Sequence, residues 1–134
     1  MDDLKNNGET ILLVEDDPSL RAMVSYLLRC RGYQVLEAPD PAAAEGLARD
    51  FADPINLLLT DVSLPQTTGY ELARLLLKLR PIPAVLFVSG WSDADTNANH
   101  ALSATRGFLQ KPFGPQALTA KIRELLNAVP PLPH

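Results

Sequence analysis

The sequence predicts a doubly wound α/β domain, a five-stranded parallel sheet with helices on both faces. Three observations carry that expectation. Short apolar runs recur along the chain, segments with helical apolar spacing alternate with them, and polar or acidic residues close the runs at their carboxyl ends. Parallel neighbours need crossover connections, nearly always right-handed, so strands that alternate with helices assemble into a sheet covered on both sides.

Thr10–Val14 is apolar and carries β-branched residues, as a strand buried on both faces should. Glu15-Asp16-Asp17 stops it, Asp17 can cap the next amides, and Pro18 suits a first helical turn. Leu20, Met23, Val24, Leu27 and Leu28 form the stripe of that helix, which Gly32 ends. Residues 33–37 predict a second strand, and Asp40-Pro41 repeats the capped start for an alanine-rich helix reaching Phe51. Residues 56–60 predict a third strand ending at Asp61; Leu72, Leu75, Leu76 and Leu79 mark a helix between Gly69 and Pro81. Residues 84–88 form a fourth strand, and residues 92–104 a fourth helix of weak propensity, rich in Asp, Asn, Ser and Ala. A fifth strand over 107–110 precedes a last helix over 115–128, whose anchors are Leu118, Ile122, Leu125 and Leu126.

The 134-residue chain, 46% hydrophobic and 21% charged, has the size of one domain with a sizeable core. Residues 10–128 are assigned to that domain, flanked by a polar tail over 1–9 and a proline-rich tail over 129–134. A single cysteine, Cys30, excludes an internal disulfide and sits at a helix flank with nothing to mark it as a nucleophile. The net charge of −4 and the lack of a basic tract argue against direct nucleic-acid binding. No apolar run approaches the ~20 residues of a membrane span. The first nine residues also lack a signal-peptide pattern, so no membrane contact and a cytoplasmic location are expected.

Ligands of such sheets bind at the carboxyl ends of the strands, near the point where strand order reverses. There the first strand supplies Glu15 and Asp16, the third Asp61, the fourth Ser89, and the fifth Lys111-Pro112. Carboxylates held together repel one another until a proton or a cation relieves them. A hard divalent cation such as magnesium, which takes oxygen ligands and keeps waters or phosphate oxygens, fits best. With a hydroxyl and a lysine opposite, the chemistry suggested is attack of a carboxylate on phosphorus. Singly, each residue has a plainer role: Asp17 a cap, Asp61 a loop carboxylate, Ser89-Gly90 and Lys111-Pro112 turns. The case rests on their joint occurrence at four strand ends. His100 and His134 lie in polar segments and are read as solvated surface residues.

The stretches ILLVEDDPSLR, LLLTDVSLPQTTGYEL, VLFVSG and FLQKPF, in that order, closely resemble the receiver domain of bacterial two-component response regulators. The likeness runs from about Thr10 to Ala128 and implies the flavodoxin-like (βα)5 receiver fold. It implies that Asp61 accepts the phosphoryl group. Asp16 would bind magnesium directly, Glu15 mostly through water, and the Ser63 carbonyl would complete the protein ligands, with manganese able to replace magnesium. Ser89 matches the switch hydroxyl, Lys111 the lysine that pairs with the phosphoryl group, and Phe108 the switch aromatic, here without a tyrosine hydroxyl. The Lys111-Pro112 bond is expected to be cis. The readout surface would comprise residues 92–104, the fifth strand and the last helix.

The implied partners are a histidine kinase or histidine phosphotransfer protein, docking mainly through the first helix, and a downstream protein or covalently linked domain. Ser89-Gly90-Trp91 and Phe108-Leu109-Gln110-Lys111 look more like receivers attached to hybrid sensor kinases. Thr68 before Gly69 replaces a frequent Asp without removing a catalytic group, and Ser103-Ala104-Thr105-Arg106 lacks the charges of a common dimer face.

Two rival readings differ in class. A receiver working as a phosphorylation-independent interaction module usually loses the acceptor, an acidic residue or the lysine, all retained here. A phosphatase with an aspartyl nucleophile typically carries a second Asp two positions on, where this chain has Ser63. A flavin-nucleotide binder would place its phosphate against the acidic loop. Trp91 lies two positions after Ser89, where a side chain influences water access to the phosphoryl group. Trp91→Ala is therefore expected to shorten the phosphate lifetime; an unchanged lifetime, read by loss of label over time, refutes the shielding role.

Overall fold

Alternation within each strand decides which helix covers which face of the sheet. The computed structural model describes residues 8–90 and 104–129. They form β1 (Thr10–Val14), α1 (Pro18–Cys30), β2 (Gln34–Ala38), α2 (Pro41–Asp50), β3 (Leu57–Asp61), α3 (Gly69–Leu79), β4 (Ala84–Ser89), β5 (Thr105–Gln110) and α4 (Pro115–Ala128). Apart from Ala104, the helix expected over 92–104 lies outside the described residues, as do Trp91, His100 and His134.

The five strands are parallel and ordered β2-β1-β3-β4-β5. Ile11, Leu13, Leu57, Leu59, Leu86 and Val88 pack with α1 and α4, through Val24, Leu28, Leu118, Ile122 and Leu125. Leu12, Val14, Leu58, Val85 and Phe87 pack on the other face with Ala44 and Ala48 of α2 and Leu72, Ala73 and Leu76 of α3. β1, β3 and β4 are buried along their whole length, which explains why they read as continuous apolar runs.

The predicted caps hold. Asp17 accepts from the amides of Ser19 and Leu20 and Asp40 from Ala43; Thr68, not read as a cap from the sequence, accepts from Glu71. Several boundaries move. β2 starts at Gln34, because the Tyr33 amide donates to Leu28 O at 3.2 Å and the Gly32 amide to Arg29 O at 3.0 Å, a Schellman end for α1 with Gly32 at φ 90°. β3 starts one residue late at Leu57 and ends at Asp61, which pairs with Val88, while β4 runs on to Ser89. β5 starts two residues early at Thr105, paired with Ala84; as an edge strand it tolerates the polar Thr105 and Arg106 that read as loop. The apolar stripes also overshoot the core, since Met23, Leu75 and Leu79 remain exposed.

Hydrogen bonds carry the ladder one residue past the strands: Glu15 N to Ala38 O at 3.1 Å, Val62 N to Val88 O at 2.9 Å, Lys111 N to Ser89 O at 2.8 Å. They align Glu15, Asp61, Ser89 and Lys111 along one rim. Gly69 closes α3 onto that rim, its amide donating to Val62 O at 2.7 Å. A Cβ there would collide with the Asp61 carbonyl oxygen and lie 3.2 Å from Thr60 Cγ2. Gly69→Ala is expected to cost about 1–3 kcal/mol by overpacking, read by urea unfolding; a variant as stable as the parent refutes this.

Candidate functional site

The switch in strand order falls between β1 and β3: the chain leaves β1 for β2 on one side and returns to β3 on the other. Glu15 and Asp16 follow β1, and Asp61 ends β3. Their carboxylate oxygens lie within 4.8 Å of one another, with Glu15 and Asp61 buried and Asp16 exposed. Lys111 bridges the group from beyond β5. Its Nζ lies 2.9 Å from Asp61 Oδ1, 3.0 Å from Asp61 Oδ2 and 3.7 Å from Glu15 Oε1. The Lys111-Pro112 bond is cis, as expected.

Three carboxylates face one ammonium, so the site carries excess negative charge. Glu15 is the group most affected by this setting: its carboxyl is pushed up from 4.5 to about 7. Burial is the main cause, reinforced by the charge and hydrogen bonding of Asp61 and opposed by the Asp17 amide and Lys111. Burial works against the Lys111 ammonium too, but the hydrogen bond and charge of Asp61, followed by the charges of Glu15 and Asp16, outweigh it and raise its pKa. The lysine stays cationic. An all-oxygen donor set with unrelieved charge suits a hard divalent cation.

The remaining predicted residues fall into two groups. Ser63 is exposed on the loop after Asp61, its backbone bridged to Thr68, while the Leu64 amide closes the turn onto Thr67 O at 3.2 Å. Ser89 is buried at the end of β4, on the same sheet face as Phe87 and Phe108. Phe108 stacks on its register partner Phe87, centroids 5.4 Å apart, and approaches Tyr70 at 6.4 Å; Tyr70 and Phe87 are 4.7 Å apart. Sequence reasoning found Phe108 but not its two ring partners. Neither has a signal in the sequence, because their meeting depends on the β4–β5 register and on where α3 lands. Asp17 serves as the helix cap rather than as part of the acidic cluster.

The family model of the response regulator receiver domain matches residues 11–123. The chain belongs to that family. It is 33% identical over 122 residues to the sensor kinase CckA of Brucella abortus, covering 91% of this chain and 13% of the kinase. Against the response regulator receiver protein CpdR of the same organism it is 31% identical, covering 88% of this chain and 97% of CpdR. Among solved structures, the non-phosphorylated HemR receiver domain from Leptospira biflexa superposes with a TM-score of 0.78 at 28% identity, covering 93% of this chain and 99% of that one. The chain spans about half of the curated transcriptional regulators it matches, 54% and 49% in two of them. As a receiver domain, it is a phosphoacceptor signalling module of the two-component type. No helix among the described residues is long and apolar enough to cross a membrane.

The raised Glu15 carboxyl has a measurable sign. Between pH 4.5 and about 7 the folded chain holds a proton that the unfolded chain has released, so this contribution to stability fades as pH rises through that window. In chelator, Glu15→Gln removes the titration. Its melting temperature should rise relative to the parent as pH goes from 5 to 8, by a few degrees; a constant difference across the window refutes the assignment.

Proposed function

We propose that Asp61 accepts a phosphoryl group from the phosphohistidine of a histidine kinase or histidine phosphotransfer protein, with Lys111, Ser89 and the acidic pair as its machinery. The observation that carries this reading is the bidentate approach of Lys111 to Asp61 beside two further carboxylates on one rim. Asp61 sits in the last register position of β3, so its backbone is held by the sheet. One carboxylate oxygen attacks phosphorus in line, a new O–P bond forms, and the P–N bond to the donor imidazole breaks. The Lys111 ammonium sits where it can pair with a phosphoryl oxygen as charge builds.

Glu15, Asp16 and Asp61, with the Ser63 carbonyl, are the groups that would hold magnesium or manganese. Bound there, the cation supplies charge neutralisation between the carboxylates and the phosphoryl oxygens. Asp16, exposed at the mouth, would ligate the cation directly; Glu15 is buried, with Oε2 accepting from the Asp17 amide at 3.1 Å.

Ser89, at the end of β4, is the hydroxyl that reaches for a phosphoryl oxygen, and Phe108 is the ring that answers its movement. Both stand on one face of adjacent strands, and Phe87, the ring partner of Phe108, stands two residues before Ser89 on that face. The readout surface in this reading comprises residues 92–104, β5 and α4, presented to a downstream protein or a covalently linked domain. The receiver unit runs over residues 10–128, between the 1–9 and 129–134 tails, and works in the cytoplasm. Its likeness to a sensor kinase suits a phosphorelay.

Incubation with magnesium and acetyl phosphate should add one phosphoryl group, read by intact-protein mass. Asp61→Asn should take up none, and omission of magnesium should abolish the adduct. An adduct that survives in Asp61→Asn refutes the assignment of the acceptor.

A further inference from the structure

A cation occupies the first turn of α1, where the helix dipole disfavours one. Arg21 is the fourth residue of the helix, and no acidic side chain stands in that turn to compensate it. Its side chain is only 20% exposed. It reaches back over the turn, and its Nη1 donates to the main-chain carbonyl of Glu15 at 2.8 Å. That carbonyl belongs to the peptide joining Glu15 to Asp16, so its direction sets how Asp16 leaves the end of β1.

The rest of the guanidinium is braced. Arg21 Nε lies 3.7 Å from Glu37 Oε1 on the edge strand β2. The other Glu37 oxygen accepts from Ser25 Oγ at 2.9 Å and Arg29 Nη2 at 3.3 Å. Arg29 is anchored in turn, through Nε to Ser25 Oγ and through Nη2 to Val35 O, both at 2.9 Å. A chain of polar contacts thus runs from the β2 backbone through α1 to the peptide between the two acidic residues. Glu37 also offsets the charge of Arg21, so the support adds little net repulsion toward a nearby cation.

We propose that Arg21, braced by Glu37, is a positioning residue for the acidic pair: it fixes the Glu15–Asp16 peptide and so holds both carboxylates in register with Asp61. The inference rests on the reading of Glu15 and Asp16 as cation ligands. Neither residue touches the reacting atoms. The Glu15 amide is held independently by Ala38 O at 3.1 Å and the Glu15 carboxylate by the Asp17 amide, so the carbonyl is the point at which this support acts. Partners one layer outside a metal site commonly control its affinity about 10–100-fold.

The test uses the full chain with Arg21→Ala, Arg21→Lys and Glu37→Gln, all checked for cooperative melting. Magnesium affinity is measured by calorimetry, and backbone 15N relaxation of Asp16 and Asp17 is measured in chelator. Arg21→Ala is expected to bind magnesium about tenfold more weakly and to show raised mobility at both amides before any metal is added. Arg21→Lys, which keeps the charge but not the fork, should recover part of the loss, and Glu37→Gln should show a smaller one. A folded Arg21→Ala with affinity within about twofold of the parent and unchanged relaxation overturns the proposal. If that variant does not fold, unaltered affinity and relaxation in both Arg21→Lys and Glu37→Gln overturn it. A parent chain that bound no magnesium would refute the metal reading instead, and the amide relaxation would still decide the positioning role.

Discussion

The repulsion among three carboxylates on one rim is the constraint from which the rest of the site follows. At about 4 Å and an effective dielectric near 20, each pair of full charges costs roughly 4 kcal/mol. Only the adjacency of β1 and β3 brings Glu15, Asp16 and Asp61 together, and only one ammonium, Lys111, answers them from within the described site. The fold meets part of the cost by keeping Glu15 protonated up to about pH 7. A proton held in this way gives way to a stronger cation, so the same repulsion that weakens the metal-free chain favours a divalent ion.

A site under such repulsion needs rigid supports, and Asp61 and Glu15 have separate ones. Asp61 lies within the β3 ladder. The Glu15 amide extends the β1–β2 pairing, and its carbonyl is held by Arg21. Gly69 lets the start of α3 come up against the Asp61 carbonyl, tying the following loop to the same strand end. The central sheet, apolar on both faces, is the common foundation. By contrast, Ser89 and Phe108 belong to the last two strands, where β5 is an edge with half-buried residues. Firm geometry at Asp61 is thus joined to a less buried margin at β5.

Residue patterns made most of this legible. Alternating apolar runs and helical stripes located the strands and helices, because burial on both faces of a parallel sheet leaves a strong period in the chain. The Asp-Pro starts and Gly32 located the helix ends by local chemistry that neighbours a few residues away complete. Errors arose where a backbone partner outside the side-chain pattern made the decision. Tyr33 reads as strand by its side chain, yet its amide finishes α1; Thr105 and Arg106 read as loop, yet Pro83 O and Ala84 draw them into β5. Met23, Leu75 and Leu79 satisfy a helical stripe and still face outward, because periodicity records spacing and not the width of the surface that covers it.

The sequence by itself determined the class of fold, the order of its elements and the acidic, hydroxyl and lysine residues at the strand ends, since each of these is written in short-range pattern. Tertiary structure decided how those residues meet. It set Lys111 against both oxygens of Asp61, Phe108 against Phe87 and Tyr70, and Arg21 against the Glu15 carbonyl and Glu37. The contacts between strands depend on register and the Arg21 contacts on a side chain folding back over its own helix turn. Neither is written in the identity of a single residue.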